Sequence, residues 1–283
     1  MNVFHKKSDL NKAVNTFNSA YHTLGLVPTM GALHSGHLAL IKQALSENNL
    51  VVVSIFVNPT QFDNKSDLQK YPRTLDYDVA LLGTLTEGEI IVYAPTVDDV
   101  YDGNVSSSNF SFDGLEESME GKFRTGHFDG VGTVVKRLFE IVKPDNAYFG
   151  EKDFQQLMII RKLVEKHNIP VNIIGCPIYR EKDGLAMSSR NARLTPEYRK
   201  AAPFIYKILK SAKIKFGTNS DIKVVEWVKS KFAKHPLLKL EYFTIADEET
   251  LQPIKRKSKS KSYRAFIAVY AGEIRLIDNI ALN

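Results

Sequence analysis

Two histidines three residues apart, His34 and His37, stand in the run Pro28-Thr29-Met30-Gly31-Ala32-Leu33-His34-Ser35-Gly36-His37, with glycines at 31 and 36. Imidazole N–H groups donate to anions, and glycine lets a phosphate come close to the backbone. The run joins an apolar stretch, 24–27, to Leu38, Leu40, Ile41, Ala44 and Leu45, which recur at helical spacing. It therefore reads as a strand-to-helix turn, where free backbone N–H groups and the positive end of the helix favour an anion. The expectation is a nucleotide phosphate on this turn; a plain turn with exposed first-turn histidines is the alternative. Gly31 and Gly36 have the glycine spacing of a Walker A loop, but His37-Leu38 occupy the places of its Lys and Ser/Thr, which argues against a P-loop kinase.

Four further groups fall in predicted loops. Asn58-Pro59-Thr60-Gln61-Phe62 follows an apolar run; Asn58 before proline reads as a turn, whereas Gln61 offers donors and an acceptor to a small polar acid. Tyr71-Pro72-Arg73-Thr74 opens a helix whose Asp76 and Asp78 read as first-turn stabilisers rather than metal ligands. Arg124, in a glycine-flanked loop before His127, reads as a phosphate or partner contact or a plain surface arginine, and Gly130-x-Gly132 lacks the third glycine of a dinucleotide fingerprint. Gly150-Glu151-Lys152-Asp153 precedes a helix that Asp153 can cap, leaving Lys152 as a mobile charge for phosphate. Met187-Ser188-Ser189-Arg190 combines hydroxyls with a guanidinium, suited to phosphates, with a polar interdomain turn as the alternative.

Behind these loops the pattern alternates. Strands are predicted at 24–27, 50–57, 90–93, 147–149 and 171–178, and helices near 37–47, 74–85, 127–142 and 153–168. Runs apolar on both faces and separated by helices imply a doubly wound parallel sheet, whose ligands bind beyond the carboxyl ends of the strands. After a polar stretch around 180–200, helices near 197–213 and 221–234 precede strands near 240–245 and 263–270, a smaller α+β domain. The expected division is 1–180 and 181–283. The 283 residues, 43% hydrophobic and 25% charged, suit a globular protein of this size. A net charge of +6 suits an anionic substrate or nucleic acid. The run Lys255-Arg256-Lys257-Ser258-Lys259-Ser260-Lys261 reads as a solvated loop, since no aromatic residue interrupts it. No apolar stretch approaches the ~20 residues of a transmembrane helix, and no secretory signal is evident. The lone Cys176 reads as a buried structural thiol in a reducing cytoplasm.

His34-Ser35-Gly36-His37 at a first strand-helix turn resembles the signature of nucleotidyl-transferring enzymes. Taken in order with Asn58 to Phe62, Tyr71 to Thr74, Phe149 to Gln156 and Asp183 to Asn191, it closely resembles the pantoate-β-alanine ligase family, over about 28–191. The resemblance implies a Rossmann-like sheet of the nucleotidyltransferase type with a C-terminal lid, Mg²⁺, and a cytoplasmic homodimer without nucleic-acid or membrane partners. It implies ATP-dependent condensation of pantoate with β-alanine through a pantoyl adenylate, releasing pyrophosphate and AMP. Carried over by position, Met30, Gly31, Ala32, Leu33, His34, Ser35, Gly36 and His37 bind ATP, with His34 and His37 on its phosphates. Gly150, Glu151, Lys152 and Asp153 contact the nucleotide, Lys152 at phosphate and Asp153 at ribose; Tyr179 offers backbone to adenine. Met187, Ser188, Ser189 and Arg190 close over ATP. Gln61 and Gln156 hold pantoate. The resemblance assigns no metal ligands.

Two other classes remain at this stage. A nucleotidyltransferase acting on a phosphorylated alcohol would share His34 and His37 but need no amine, and a noncatalytic RNA-binding protein would use the basic charge. Neither accounts for Gln61 and Gln156 occurring with the other segments.

Overall fold

A computed structural model describes residues 1–17, 22–62, 65–85, 88–254 and 256–283. The chain packs as two compact units, Met1–Glu151 with Gln156–Pro177, and Lys152–Gln155 with Ile178–Asn283. Lys255 of the basic run lies outside the described residues.

In the first unit, strands β1 (Asn2–Phe4), β2 (Leu24–Thr29), β3 (Leu50–Ile55), β4 (Glu89–Tyr93), β5 (Asn146–Gly150) and β6 (Asn172–Cys176) form one sheet in the order β1-β4-β3-β2-β5-β6, every pair parallel. The doubly wound α/β fold expected from the alternating runs is the fold found. β1 has no counterpart in the apolar pattern, because three residues beside the sheet edge bury too little to leave a signature. From β2 the chain builds outward through β3 and β4, then returns to add β5 and β6 on the other side. The order reverses between β2 and β5, and crevices at such reversals are where ligands of these sheets bind.

Pro28 lies on β2, at this reversal. β2 continues through it, pairing Pro28 with Ser54 and Thr29 with Ile55 of β3. A proline inside a central strand ordinarily forfeits a ladder bond. Here the pairing of β2 to β5 runs only from Gly25↔Asn146 to Leu26↔Ala147, so no donor is required of residue 28 on that side. Helix Ser35–Glu47 seals the sheet with Ile41, Ala44 and Leu45, which share a core with Val27, Leu33, Val51 and Val53. Burying a side chain such as fully enclosed Ile41 contributes about 1.5–3 kcal/mol. Cys176 is buried and unpaired, its thiol pushed up to about 12 by desolvation.

The second unit carries strands β7 (Leu238–Asp247), β8 (Tyr263–Ala271) and β9 (Ile274–Ala281) as an antiparallel sheet. Helices Phe204–Thr218 and Asp221–Ala233 bury Ile205, Leu209, Val224 and Val228 with Phe243, Ile245 and Ile267. The single helix expected near 197–213 is two, Pro196–Ala201 and Phe204–Thr218, because Pro203 cannot continue the first and stands at the N-cap of the second. The basic run is more than a solvated loop. The ammonium of Lys257 lies over the Phe216 ring and donates to the carbonyls of Phe216 and Asn219, satisfying the end of helix Phe204–Thr218. Lys261 pairs with Asp247 at 2.8 Å.

Candidate active site

The turn after β2 places His34 as the N-cap of helix Ser35–Glu47 and His37 at its third position. His34 Nδ1 accepts from Gly36 N–H at 3.1 Å, and His37 Nδ1 accepts from His34 N–H at 3.3 Å. This is a capping box in which imidazoles replace the usual Ser/Thr and Glu, so the spacing of three follows from helix-end geometry. The two rings stack with centroids 4.0 Å apart. A neutral imidazole whose Nδ1 accepts carries its proton on Nε2. Each histidine is therefore oriented to act as an Nε2–H donor.

Five of the amides expected to be open at this turn are engaged by side chains. Gly31 N–H donates to Thr29 Oγ1 at 3.2 Å, Ala32 N–H to Asp78 Oδ2 at 3.0 Å and Leu33 N–H to Asp78 Oδ1 at 2.8 Å. The N–H groups of His34 and Gly36 go to the imidazoles. With these five amides committed to side chains, the imidazoles and the exposed Ser35 are the donors the turn can offer an anion. The Leu33 side chain is in the core.

Asp78 stands in the first turn of helix Leu75–Leu82, as expected, but does more than stabilise that turn. It has no exposure, and Thr74 Oγ1 donates to it at 3.2 Å in addition to the two amides. Burial raises its pKa above the ordinary 3.8, and those three hydrogen bonds pull the other way. Gly31 and Ala32 both have positive φ, 78° and 49°, a conformation disfavoured for alanine. From that helix Asp78 holds the turn at Ala32 and Leu33. One sequence signal was available: Asp78 lies a turn from fully buried Leu82, so its carboxylate is on the core face.

After β3, Pro59–Gln61 forms a 3₁₀ turn capped by Asn58, whose Oδ1 accepts from Thr60 N–H. Asn58 is also buried and directs Gln61: its Nδ2 donates to Gln61 Oε1 at 3.1 Å and to Gly130 O at 3.2 Å, while Tyr101 Oη donates to its Oδ1 at 2.6 Å. Gln61 Nε2 reaches Met30 Sδ at 3.0 Å, which joins this group to the histidine turn. His127 Nδ1 donates to Gln61 O at 2.9 Å, which leaves its Nε2 to accept from Arg124 at 3.0 Å. Arg124 is thus tied to the Gln61 segment through one imidazole tautomer. Gly130 permits this packing, since a Cβ there would lie 2.3 Å from Thr60 O.

The remaining candidates divide between the units. Gly150 ends β5, Glu151 follows, and Gln156 is half-buried on helix Phe154–His167, all in the first unit. Lys152, Asp153, Tyr179 and Met187 to Arg190 belong to the second. Asp153 ends a 3₁₀ turn, Glu151–Asp153, with its carboxylate 3.8 Å from the Lys152 ammonium. Met187 N–H donates to Tyr179 O at 3.0 Å, and Arg180 bridges Ala186, so a narrow ribbon brings Tyr179 beside the serine segment. Ser188 Oγ accepts from Arg190 N–H at 3.2 Å and caps the 3₁₀ turn Ser189–Arg193. Among the described residues, no group of three or more His, Cys, Asp or Glu is placed to hold a metal ion. No described helix is long and apolar enough to cross a membrane.

A family model described as pantoate-beta-alanine ligase matches residues 2–281. Pantothenate synthetases of Christiangramia forsetii and Flavobacterium psychrophilum are 57% and 56% identical, each over the whole of both chains. A crystal structure of the pantothenate synthetase of Thermus thermophilus superposes with a TM-score of 0.91 at 40% identity, covering 100% of this chain and 99% of that one. The Francisella tularensis pantoate-beta-alanine ligase, complexed with beta-gamma ATP and beta-alanine, gives 0.80 at 38% identity, covering 100% and 98%.

Proposed function

The chain belongs to the pantoate-β-alanine ligase family, and from that premise we propose that it joins the two substrates through an adenylate. A carboxylate is a poor acyl donor, because an oxide would have to leave. In the first step a carboxylate oxygen of pantoate attacks the α-phosphorus of ATP, the bond to the bridging oxygen breaks, and pyrophosphate departs. In the second the amine of β-alanine attacks the acyl carbon, loses its proton and displaces AMP, giving pantothenate.

The observation that carries this reading is the pair of stacked imidazoles whose Nδ1 atoms are held by backbone amides. That arrangement favours two fixed Nε2–H donors at the carboxyl end of β2, a preorganised answer to charge that builds on phosphate as the leaving bond breaks. In this reading Met30 to His37 bind ATP, with His34 and His37 on the phosphates. Lys152 adds a point charge there, Asp153 meets the ribose, Gly150 and Glu151 line the nucleotide, and Tyr179 offers its backbone to adenine. Ser188, Ser189 and Arg190, with Met187, contact the β- and γ-phosphates. Gln61 and Gln156 hold pantoate; the fixing of Gln61 by Asn58 and His127 supports its part. Mg²⁺ would be carried by the phosphates of ATP, since a donor set of histidine, lysine, arginine and hydroxyl groups is better suited to phosphate than to an all-protein cation cage. When bound it neutralises charge on the leaving pyrophosphate. The protein acts in the cytoplasm as a homodimer, a setting in which the unpaired, buried Cys176 stays reduced.

The test is pantoate-dependent exchange of pyrophosphate into ATP, followed by AMP and pantothenate formation when β-alanine is added. Exchange without β-alanine, abolished in His37→Ala, is the expected result. Product formation with no exchange in its absence would overturn the separate adenylate step.

A further inference from the structure

We propose that Asn279, on strand β9, is a positioning residue for Lys152. Asn279 is only 1% exposed, and both ends of its amide are engaged. Its Nδ2 donates to the backbone carbonyl of Lys152 at 2.9 Å, and its Oδ1 accepts from Arg264 Nη1 at 2.7 Å. The amide has one possible orientation: a guanidinium only donates and a carbonyl only accepts. Arg264 in turn lies 3.9 Å over the ring of Phe154 and donates through Nε to Glu248 at 2.8 Å. The backbone of residue 152 and the ring of residue 154 are thus gripped by neighbouring side chains of β8 and β9, where Asn279 pairs with Phe266.

The preceding residue extends the role of the strand. Asp278 makes a two-point pair with Arg180, at 2.7 and 2.9 Å, and Arg180 stacks 3.7 Å over Tyr206 while donating to Gly184 O at 3.2 Å. That pair anchors the ribbon that runs from Tyr179 to Met187. Successive residues of a strand point to opposite faces, so β9 presents Asp278 toward the ribbon and Asn279 toward the lysine turn. A buried amide that satisfies the Lys152 carbonyl sets where the lysine Cα stands, and with it the reach of the ammonium. Side chains aimed at transferring phosphate lose rate steeply when displaced by about 1 Å. This inference rests on the proposed contact of Lys152 with phosphate.

Asn279→Asp tests it with little change of shape. The new oxygen faces the Lys152 carbonyl and repels it, while the bond from Arg264 persists as an ion pair. Pantoate-dependent pyrophosphate exchange is measured in the wild type, Asn279→Asp, Lys152→Ala and the double variant, alongside melting temperature. The expected result is a fall in kcat of about tenfold or more in Asn279→Asp, the rate equivalent of one well-made hydrogen bond. KM for pantoate stays unchanged, and Asn279→Asp adds no further loss once Lys152 is alanine. Losses that multiply, or a neutral Asn279→Asp beside a costly Lys152→Ala, would overturn the positioning role. A neutral Lys152→Ala would instead overturn the phosphate contact on which it rests. If Asn279→Asp does not fold, Asn279→Ala carries the same cycle with the same outcomes.

Discussion

Replacing Asp78 separates the work of the histidine turn from that of its histidines, because this carboxylate lies outside the turn yet holds it. In the native protein it accepts from Ala32 N–H, Leu33 N–H and Thr74 Oγ1 at 3.0, 2.8 and 3.2 Å, with no solvent exposure. Asparagine keeps the shape but turns one acceptor into a donor, so one backbone N–H faces an NH₂ group. A hydrogen bond to a buried charged group contributes about 1.5–3 kcal/mol, and that is the expected loss of stability for Asp78→Asn. Asp78→Ala leaves both amides without a partner and costs about 3–5 kcal/mol on the same scale. The freed turn also relaxes from the positive φ values of Gly31 and Ala32, 78° and 49°, and shifts the imidazoles with it. A displacement near 1 Å lowers rate by about a hundredfold. Urea denaturation gives the first quantity and pantoate-dependent pyrophosphate exchange the second. An Asp78→Asn protein with native stability and native exchange would refute the clamp; one that is less stable but fully active would refute its connection to chemistry.

Three further outcomes are expected. His127→Ala raises KM for pantoate through Gln61; His127→Asn, which can still donate to the Gln61 carbonyl, restores most of it, and equal effects of the two would rule out the tautomer-specific link. Gly130→Ala drives a Cβ to 2.3 Å from Thr60 O and 2.7 Å from Gln61 Cα, destabilises by about 1–3 kcal/mol and raises the same KM, whereas a native melting curve would contradict the close approach. Desolvation lowers the pKa of His235 below 6.5, and its Nδ1 accepts from Leu237 and Leu238 N–H at 3.2 and 3.1 Å. Because the unfolded chain then binds the proton more readily, this contribution is complete above about pH 6.5 and is lost as pH falls through the lower folded value. Melting temperatures from pH 7.5 to 5 fall less for His235→Asn than for the native protein, and parallel curves would contradict the assignment.

The parallel sheet was legible because its central strands are buried on both faces and read as apolar runs such as 50–53. β9 was not: Asp278 and Asn279 interrupt its apolar pattern, and their partners, Arg180, Arg264 and the Lys152 carbonyl, are distant in sequence. The histidine turn was located correctly, yet its amides were expected to be open. Histidine is not among the usual capping residues, so the spacing carried no warning that the rings themselves take the His34 and Gly36 N–H groups. Asn58 passed as a turn residue, which it is, while its bond to Gln61 depends on burial under Tyr101 and Gly130.

Lys152–Gln155 belong to the unit that otherwise begins at Ile178. A gene fragment ending at position 177 would therefore carry Phe154, buried against Phe266 and Arg264, away from the residues that shelter it. Recombination between relatives meets the same seam. A crossover near 178 inherits the lysine turn from one parent and its strand from the other, so chimaeras should tolerate that junction only when positions 152–155 travel with the carboxyl-terminal third.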